Sequence, residues 1–244
     1  REIARLRRII NHLQGNDIAQ ALSIAGDSVI SIHYRIWADK AGNLDMFSLE
    51  DSFTKLSKNP TILADMDEIL AWAANTSKIE GKSLNLPFEN CLELHARYTS
   101  RDINAALGLA DLESTGPTGI GILHAKNSKT YALLITFQKT QREFSPTTMY
   151  ADYPISRHRI HWESQSTNTQ KGQTGQNLIH HKNEGYTVLF FVRDQKKNLG
   201  VTLPFTFLGP GEMISYEGER PIKMVWELQH PMPVEMFENN RLGG

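Results

Sequence analysis

Apolar residues recur every three or four positions through the first third of the chain. In REIARLRRIINHLQG, Ile3, Leu6, Ile9, Ile10 and Leu13 form one stripe, which predicts an amphipathic helix closed by Gly15. Asp17 is placed to cap a second helix through DIAQALSIAG. SVISIHYRIWA has β-branched and aromatic content, yet Ile30, His33, Tyr34 and Trp37 match one helical face, and its neighbours are helical, so it reads as helix. Ser48 begins SLEDSFTKLSKN with Ser-x-x-Asp, close to a capping box. Asn59-Pro60 breaks the chain, and TILADMDEILAWAANTSKI follows as a helix with Ile62, Met66, Ile69, Leu70 and Trp72 expected inward. These helices carry acid outside and no convergent chemical groups. Residues 1–88 therefore read as a helical bundle or connector. Arg1, Arg5, Arg7 and Arg8 could touch phosphate, but a solvated helix face is the commoner explanation.

Residues 81–90, GKSLNLPFEN, form a Gly/Pro/Asn linker. LELHARY gives a short strand or turn, and a helix spans Ser100 to Leu107 with Gly108 as its cap. Beyond ESTGPTG the period falls to two. GIGILHAKN, YALLITFQK, IHWESQS, YTVLFFVRD, FTFLG, MISYEG and IKMVWELQHP are strand-like runs separated by turn signals, among them Gly209-Pro210-Gly211. VLFFVRD is apolar throughout and belongs at the centre of a sheet. One helix, GQNLIHHKNEG, interrupts the strands and ends at Gly185. The fold class is α+β: an N-terminal helical segment, then residues 89–244 as a small mixed β-barrel with one or two helices.

Composition narrows the class. The 244 residues are 40% hydrophobic and 22% charged, as in soluble globular proteins, and no apolar run approaches a membrane span of ~20 residues. The N-terminus lacks the apolar centre and cleavage site of a signal peptide, and a start at Arg suggests a fragment of a longer or processed protein. A single cysteine, Cys91, excludes an internal disulfide and a cysteine-rich zinc site, compatible with a cytoplasmic protein. Cys91 itself reads as a small buried hydrophobe. Net charge is −1, but residues 139–197 carry nine Lys/Arg against five Asp/Glu, so that half is locally basic.

The run from Phe144 to Asn168, FSPTTMYADYPISRHRIHWESQSTN, interleaves Tyr150, Tyr153, His158, His161 and Trp162 with Asp152, Glu163, Gln165 and Asn168. It does not resemble a core strand; it reads as a loop able to stack flat rings and bond their edges. A metal site is disfavoured: His158 and His161 fall on opposite faces of a strand, His180 and His181 diverge on a helix, and no H-E-x-x-H accompanies them. No G-x-S-x-G elbow or P-loop is present, so neither a serine hydrolase nor a phosphate cradle is indicated. Glu143, Asp152 and Glu163 could pair, but no spacing demands it. Exposed aromatics in a basic setting suit unstacked bases, each stack contributing roughly 1–3 kcal/mol. Asp152 could accept from a cytosine N4 amino group. Gln165, Asn168 and Gln173 could bond base edges or phosphates, and Arg157, Arg159, Lys171, Arg193 and Lys196 could hold the backbone. The rival reading makes Trp162 and Tyr153 core residues, with His161 bonded to a carbonyl.

FSPTTMYADYPIS, HWESQSTNT, GQNLI, LFFVRD and PFTFLGPGEMISYEGERPIKMVWELQHPMP, in that order between about Leu92 and Pro233, resemble an uncharacterised C-terminal domain. It belongs to bacterial proteins that carry a phospholipase-D-type nuclease followed by a superfamily-two helicase. Some of these resemble type IV restriction enzymes, whose C-terminal domain is thought to recognise modified cytosine in the manner of SRA and other PUA-like barrels. The resemblance implies a PUA/SRA-like fold and a non-catalytic reader of 5-methyl- or 5-hydroxymethylcytosine in double-stranded DNA, acting by base flipping in the bacterial cytoplasm. It implies a pocket drawn from Tyr150, Asp152, Tyr153, His161, Trp162 and Gln165, with Glu163 as another N4 acceptor. The implied partners are modified duplex DNA and the parent chain's helicase and nuclease domains. No cofactor or metal is implied. The chain lacks the nuclease HKD and helicase Walker motifs. A protein-docking module of the parent helicase–nuclease is the competing class.

Overall fold

A computed structural model describes residues 2–37, 48–76, 82–88, 90–111, 114, 116–119, 121–138 and 152–241. The elements, in chain order, begin with helices α1 (Glu2–Gln14), α2 (Ile18–Ser23), α3 (Asp27–Trp37), α4 (Leu49–Ser57) and α5 (Pro60–Thr76). Short strands β1 (Lys82–Ser83), β2 (Glu93–Leu94) and β3 (Arg97–Tyr98) precede helix α6 (Ser100–Ala106). Then come β4 (Ile122–Ala125), β5 (Thr130–Gln138), β6 (Tyr153–Ser156) and β7 (Arg159–Glu163), followed by α7 (Gln173–Ile179) and α8 (His181–Glu184). The chain closes with β8 (Thr187–Gln195), β9 (Lys197–Asn198), β10 (Val201–Thr202), β11 (Phe205–Glu217), β12 (Lys223–Leu228) and α9 (Val234–Asn240). Its contacts divide it into two compact units, one of residues 1–80, 89–91 and 101–117, the other of 81–88, 92–100 and 118–244. No helix among the described residues is long and apolar enough to cross a membrane.

The first unit is helical because its apolar stripes meet. Ile9, Ile10 and Leu13 of α1 pack with Ala21, Val29, Phe53, Leu56 and Leu63. The Asp17 carboxylate accepts the Gln20 N–H at 3.2 Å and the Ser48 hydroxyl accepts the Asp51 N–H at 3.0 Å, so both helices start at side-chain caps. Arg7 lies across to α5 and bonds Asp67 through two nitrogens, at 2.7 and 3.0 Å. The orientation of α5 corrects the expected one. Leu63, Met66 and Leu70 turn inward, whereas Ile69 and Trp72 are 63% and 67% exposed and Ile62 is exposed with them. Helix α5 is apolar on two stripes, and among the described residues the one facing α1 and α4 is the covered one.

The second unit is built on β8, whose run Val188–Val192 is buried on both faces. It pairs in parallel with β5 and antiparallel with β11, so it lies inside the sheet as its composition requires. Among the described residues the order is β4-β5-β8-β11-β12-β7-β6, with β3 paired to β11. The architecture is mixed α+β, and among the described residues no pairing between β4 and β6 closes it into a barrel. One face of the sheet carries the main core: Tyr131, Leu133 and Ile135; Val188, Phe190 and Val192; Ile160 and Trp162; Met224, Trp226 and Leu228; with Leu178 of α7. Gly209-Pro210-Gly211, expected to end one strand and begin another, lies within β11 instead. A register shift between Phe207 and Gly209 absorbs the irregularity, and the Pro210 carbonyl accepts the Gln229 N–H at 3.0 Å. The expected single helix is two, α7 and α8, ending at Gly185.

Candidate functional site

Half of the aromatic stretch is a hairpin, not a loop: β6 and β7 pair with Tyr153 opposite His161 and Pro154 opposite Ile160. Alternation along β7 then decides which side chains can act together. Ile160 and Trp162 face the core, where Trp162 is 4% exposed. Arg159, His161 and Glu163 take the opposite face. Trp162, expected in the pocket, is therefore a core residue and cannot line a site with its neighbour His161.

The outer face has three cross-strand rows. The first runs Tyr153, His161, Val225 and Ser215; the second Glu163, Lys223 and Glu217; the third Arg159, Glu227 and Glu212. In the first row the half-buried rings of Tyr153 and His161 stack, centroids 4.6 Å apart and planes 11° from parallel. This is a flat platform fixed by strand register. Around it, among the described residues, stand four carboxylates, Glu163, Glu212, Glu217 and Glu227, and three cations, one of them Lys182, whose Nζ pairs with Glu212 at 2.6 Å. Arg159 pairs with Glu227 at 3.4 Å, and Lys223 with Glu217 at 3.8 Å. The excess of basic residues in this half of the sequence is thus not displayed on the platform.

Other expected site residues are placed as follows. Tyr150 lies outside the described residues. Asp152 is 7% exposed and its Oδ1 accepts the Glu163 N–H at 2.9 Å, so it fixes the start of the hairpin; Glu163, on the platform face, is the carboxylate near the rings. Arg157 is exposed at the hairpin turn and its Nε donates to the Met232 carbonyl at 2.9 Å. Gln165, Asn168 and Lys171 belong to the segment between β7 and α7. That segment is tied to the β11–β12 turn: the Gln170 amide group donates to Gly218 O at 2.8 Å, and its N–H to Glu219 at 3.0 Å. Gln165 is half-buried with its carbonyl accepting the Asn168 N–H at 2.9 Å, and Lys171 is exposed. The Asn168 Nδ2 is buried and finds no acceptor among the described residues.

Two residues expected on the DNA backbone bond within the fold, Gln173 from an exposed position and Arg193 from a half-buried one. Gln173 donates to Asn177 at 2.7 Å, and Asn177 donates to the Tyr131 hydroxyl at 2.9 Å. Arg193 donates to the Thr136 hydroxyl and the Leu203 carbonyl, both at 3.0 Å, and lies 4.1 Å above the Phe205 ring. Lys196 is half-buried, its carbonyl accepting the Leu203 N–H at 3.0 Å.

A second aromatic group was not anticipated. His124 stacks on Tyr131 at 4.2 Å and 12°, with Tyr186 5.3 Å from Tyr131. Burial lowers the His124 pKa, helped by Lys126, and burial raises that of the Tyr131 hydroxyl. The alternation of GILHAKN and YALLITF gave the signal, since it sets His124 and Tyr131 at matching positions of adjacent strands. Tyr131 is buried and bonded to Asn177 of α7, and His124 and Tyr186 are half-buried beside it, so this group flanks the core next to α7. Among the described residues no group of three or more His, Cys, Asp or Glu side chains could hold a metal ion.

A comparison with solved structures matches a crystal structure of Arabidopsis thaliana SUVH6 in complex with SAM, at 10% identity and a TM-score of 0.37, over 97% of this chain and 41% of that one. A score that low establishes no common fold, and the chain spans less than half of that protein's length. No curated protein matches the sequence. Residues 92–239, more than half of the chain, match the family described as "Domain of unknown function (DUF3427)". The match runs from β2 into α9 and takes in the whole β6–β7 hairpin, and the chain belongs to this family.

Proposed function

We propose that the chain is the non-catalytic recognition domain of a modification-dependent (type IV) restriction enzyme. In this reading it binds duplex DNA and takes a flipped 5-methyl- or 5-hydroxymethylcytosine onto the Tyr153–His161 platform. The observation that carries the reading is the parallel stack of those two rings, half-exposed on a rigid hairpin. Stacking favours any base by roughly 1–3 kcal/mol and by itself selects none. Selection comes from the edge: Glu163, in the next row, would accept from the cytosine N4 amino group, the role first expected of Asp152. Three of the surrounding carboxylates are paired with cations, so the platform offers no net positive charge to phosphate. The DNA backbone would therefore run beside the platform, along Arg157 at one end of the hairpin and Lys171 beyond the other. Arg159 would exchange its half-exposed partner Glu227 for phosphate. Cleavage and translocation fall to nuclease and helicase domains of a parent chain in the bacterial cytoplasm.

The test is fluorescence anisotropy with matched duplexes carrying cytosine, 5-methylcytosine or 5-hydroxymethylcytosine at one fixed salt concentration. Preferential binding of a modified duplex, lost in Tyr153→Ala and reduced in Glu163→Gln, is expected. Equal or absent binding to all three would sink the reading. The exposed Ile62, Ile69 and Trp72 of α5 favour a second reading, in which the chain docks a protein partner and reads no base. That reading expects no preference among the duplexes.

A further inference from the structure

Between β8 and β11 the chain makes a small ribbon, β9 and β10, with Val201 opposite Asn198 and Thr202 opposite Lys197. Two residues, Leu199 and Gly200, form its tip, at φ 48° and 83°. Both values are positive, the signature of the tight turn in which Asn-Gly or Gly-Gly is the usual pair. A leucine there is strained by its Cβ. It gains no burial in return: Leu199 is 98% exposed and Val201 66%. A strained apolar residue held out in water has no account in folding, and such residues concentrate where something is bound. The ribbon is also firmly rooted. The Leu203 N–H donates to the Lys196 carbonyl at 3.0 Å, and Arg193 grips the Leu203 carbonyl at 3.0 Å. From Gln195 to Leu203 the sequence QKKNLGVTL holds two lysines and no carboxylate.

We infer that this ribbon is a major-groove probe whose Leu199 tip contacts the 5-methyl groups of pyrimidines, with Lys196 and Lys197 near the flanking phosphates. The inference rests on the DNA-binding reading above. Size selects the groove. Two strands about 4.8 Å apart, with side chains, span about 10 Å, which enters a major groove of about 12 Å and not a minor groove of about 6 Å. Two paired residues and a turn project about 7 Å, close to the major groove's depth of about 8.5 Å. At that floor thymine and 5-methylcytosine present the one apolar group a leucine can recognise. The ribbon sits at the Phe205 end of β11, and Ser215, in the row of Tyr153 and His161, sits near the other end. Probe and platform thus address different bases.

The experiment measures duplex affinity of the whole chain at fixed salt, with thymine replaced by deoxyuridine, or 5-methylcytosine by cytosine, at single positions. Burying one methyl group favours the methylated duplex by roughly fourfold. Leu199→Gly should abolish that preference at probe positions, leave affinity for the methyl-free duplex within about twofold, and raise the melting temperature, because glycine relieves the turn. Lys197→Ala should weaken every duplex alike and flatten the salt dependence. Tyr153→Ala should leave the thymine-over-uracil preference intact. A preference unchanged in Leu199→Gly overturns the probe and leaves DNA binding standing. Absence of binding to any duplex overturns both. Leu199-dependent binding to vesicles containing anionic phosphatidylglycerol, without duplex binding, would assign the ribbon to a membrane surface and overturn both as well.

Discussion

Replacing Gly211 by alanine tests how closely β11 approaches Phe190 and the β12 backbone where it crosses the core. Gly211 pairs with Leu228 of β12. An added Cβ would lie 2.6 Å from Cε2 and 3.2 Å from Cδ2 of Phe190, and 3.1 Å from the Glu227 carbonyl oxygen. Carbon atoms rest at about 3.5–4.0 Å, so the methyl group is about 1 Å too close. Neither neighbour can give way cheaply. Phe190 is buried and packs edge-on against Trp226, centroids 5.5 Å apart, and the carbonyl belongs to the β12 backbone. Overpacking of this kind costs about 1–3 kcal/mol, and a clash with a fixed ring and a strand backbone together belongs at the upper end, ~3 kcal/mol. With a urea dependence near 2 kcal/mol per molar, the midpoint should fall by roughly 1–2 M. The readout is near-ultraviolet circular dichroism or fluorescence of the buried Trp162 and Trp226, which report the second unit. Gly15→Ala is the control, because its Cβ would meet nothing closer than 3.5 Å. A Gly211→Ala midpoint within a few tenths molar of the parent would refute the close approach.

The Tyr153–His161 stack should show a coupling of about 0.5–1.5 kcal/mol in a double-mutant cycle with alanine at each position, measured by urea unfolding; additive losses would refute a preformed platform. Acid should destabilise the second unit. Burial lowers the pKa of His181, whose Nε2 accepts the Met213 N–H at 3.2 Å, and of His95, whose ring meets the Pro231 carbonyl at 3.1 Å. With folded values below the ordinary value of about 6.5, the unfolded chain binds protons first. Stability should hold above pH ~6.5, decline as pH falls through the folded values, then level; His181→Gln should flatten part of that slope, and an unfolding midpoint constant between pH 7.5 and 5 would refute it. In the helical unit an apolar cavity of about 220 Å³ lies among Ile10, Leu13, Val29, Phe53 and Leu63. Val29→Ile adds one methylene to it and should stabilise by ~0.8 kcal/mol, raising the unit's melting temperature by roughly 3–6 °C, whereas a fall would show that no space is there to fill.

The sequence was most readable where local chemistry decides. The caps at Asp17 and Ser48, the helical state of SVISIHYRIW and the central place of VLFFVRD each follow from a few adjacent residues. It was least readable where one pattern fits two structures. Helix α5 offers Leu63, Met66 and Leu70 on one stripe and Ile62, Ile69 and Trp72 on another, and the docking of α1 and α4 chooses between them. Gly209-Pro210-Gly211 has turn chemistry, but flanking apolar residues keep it in the sheet and a register shift pays for the irregularity. The parallel pairing of β5 with β8 joins segments more than fifty residues apart and leaves no local mark. In the candidate site the residue types were visible but their sides were not assigned. Applying strict alternation to RIHWE would already have separated His161 from Trp162.

That alternation also makes function and stability separable on one hairpin. Ile160 and Trp162 hold the core from the inner face, and Tyr153, His161 and Glu163 present chemistry on the outer one. An outer ring can be removed without opening a cavity, because its body leans on another outer ring and not on the core. An inner one cannot, because Trp162 packs into the same cluster as Met224 and Trp226. Substitutions at Tyr153 and Glu163 should therefore change what the domain binds while it stays folded. Substitutions at Trp162 and Ile160 should abolish binding only by unfolding it. Asp152 falls between the two: its carboxylate holds the Glu163 backbone, so its loss would reach the platform as a displacement of Glu163 before it appears as a loss of stability.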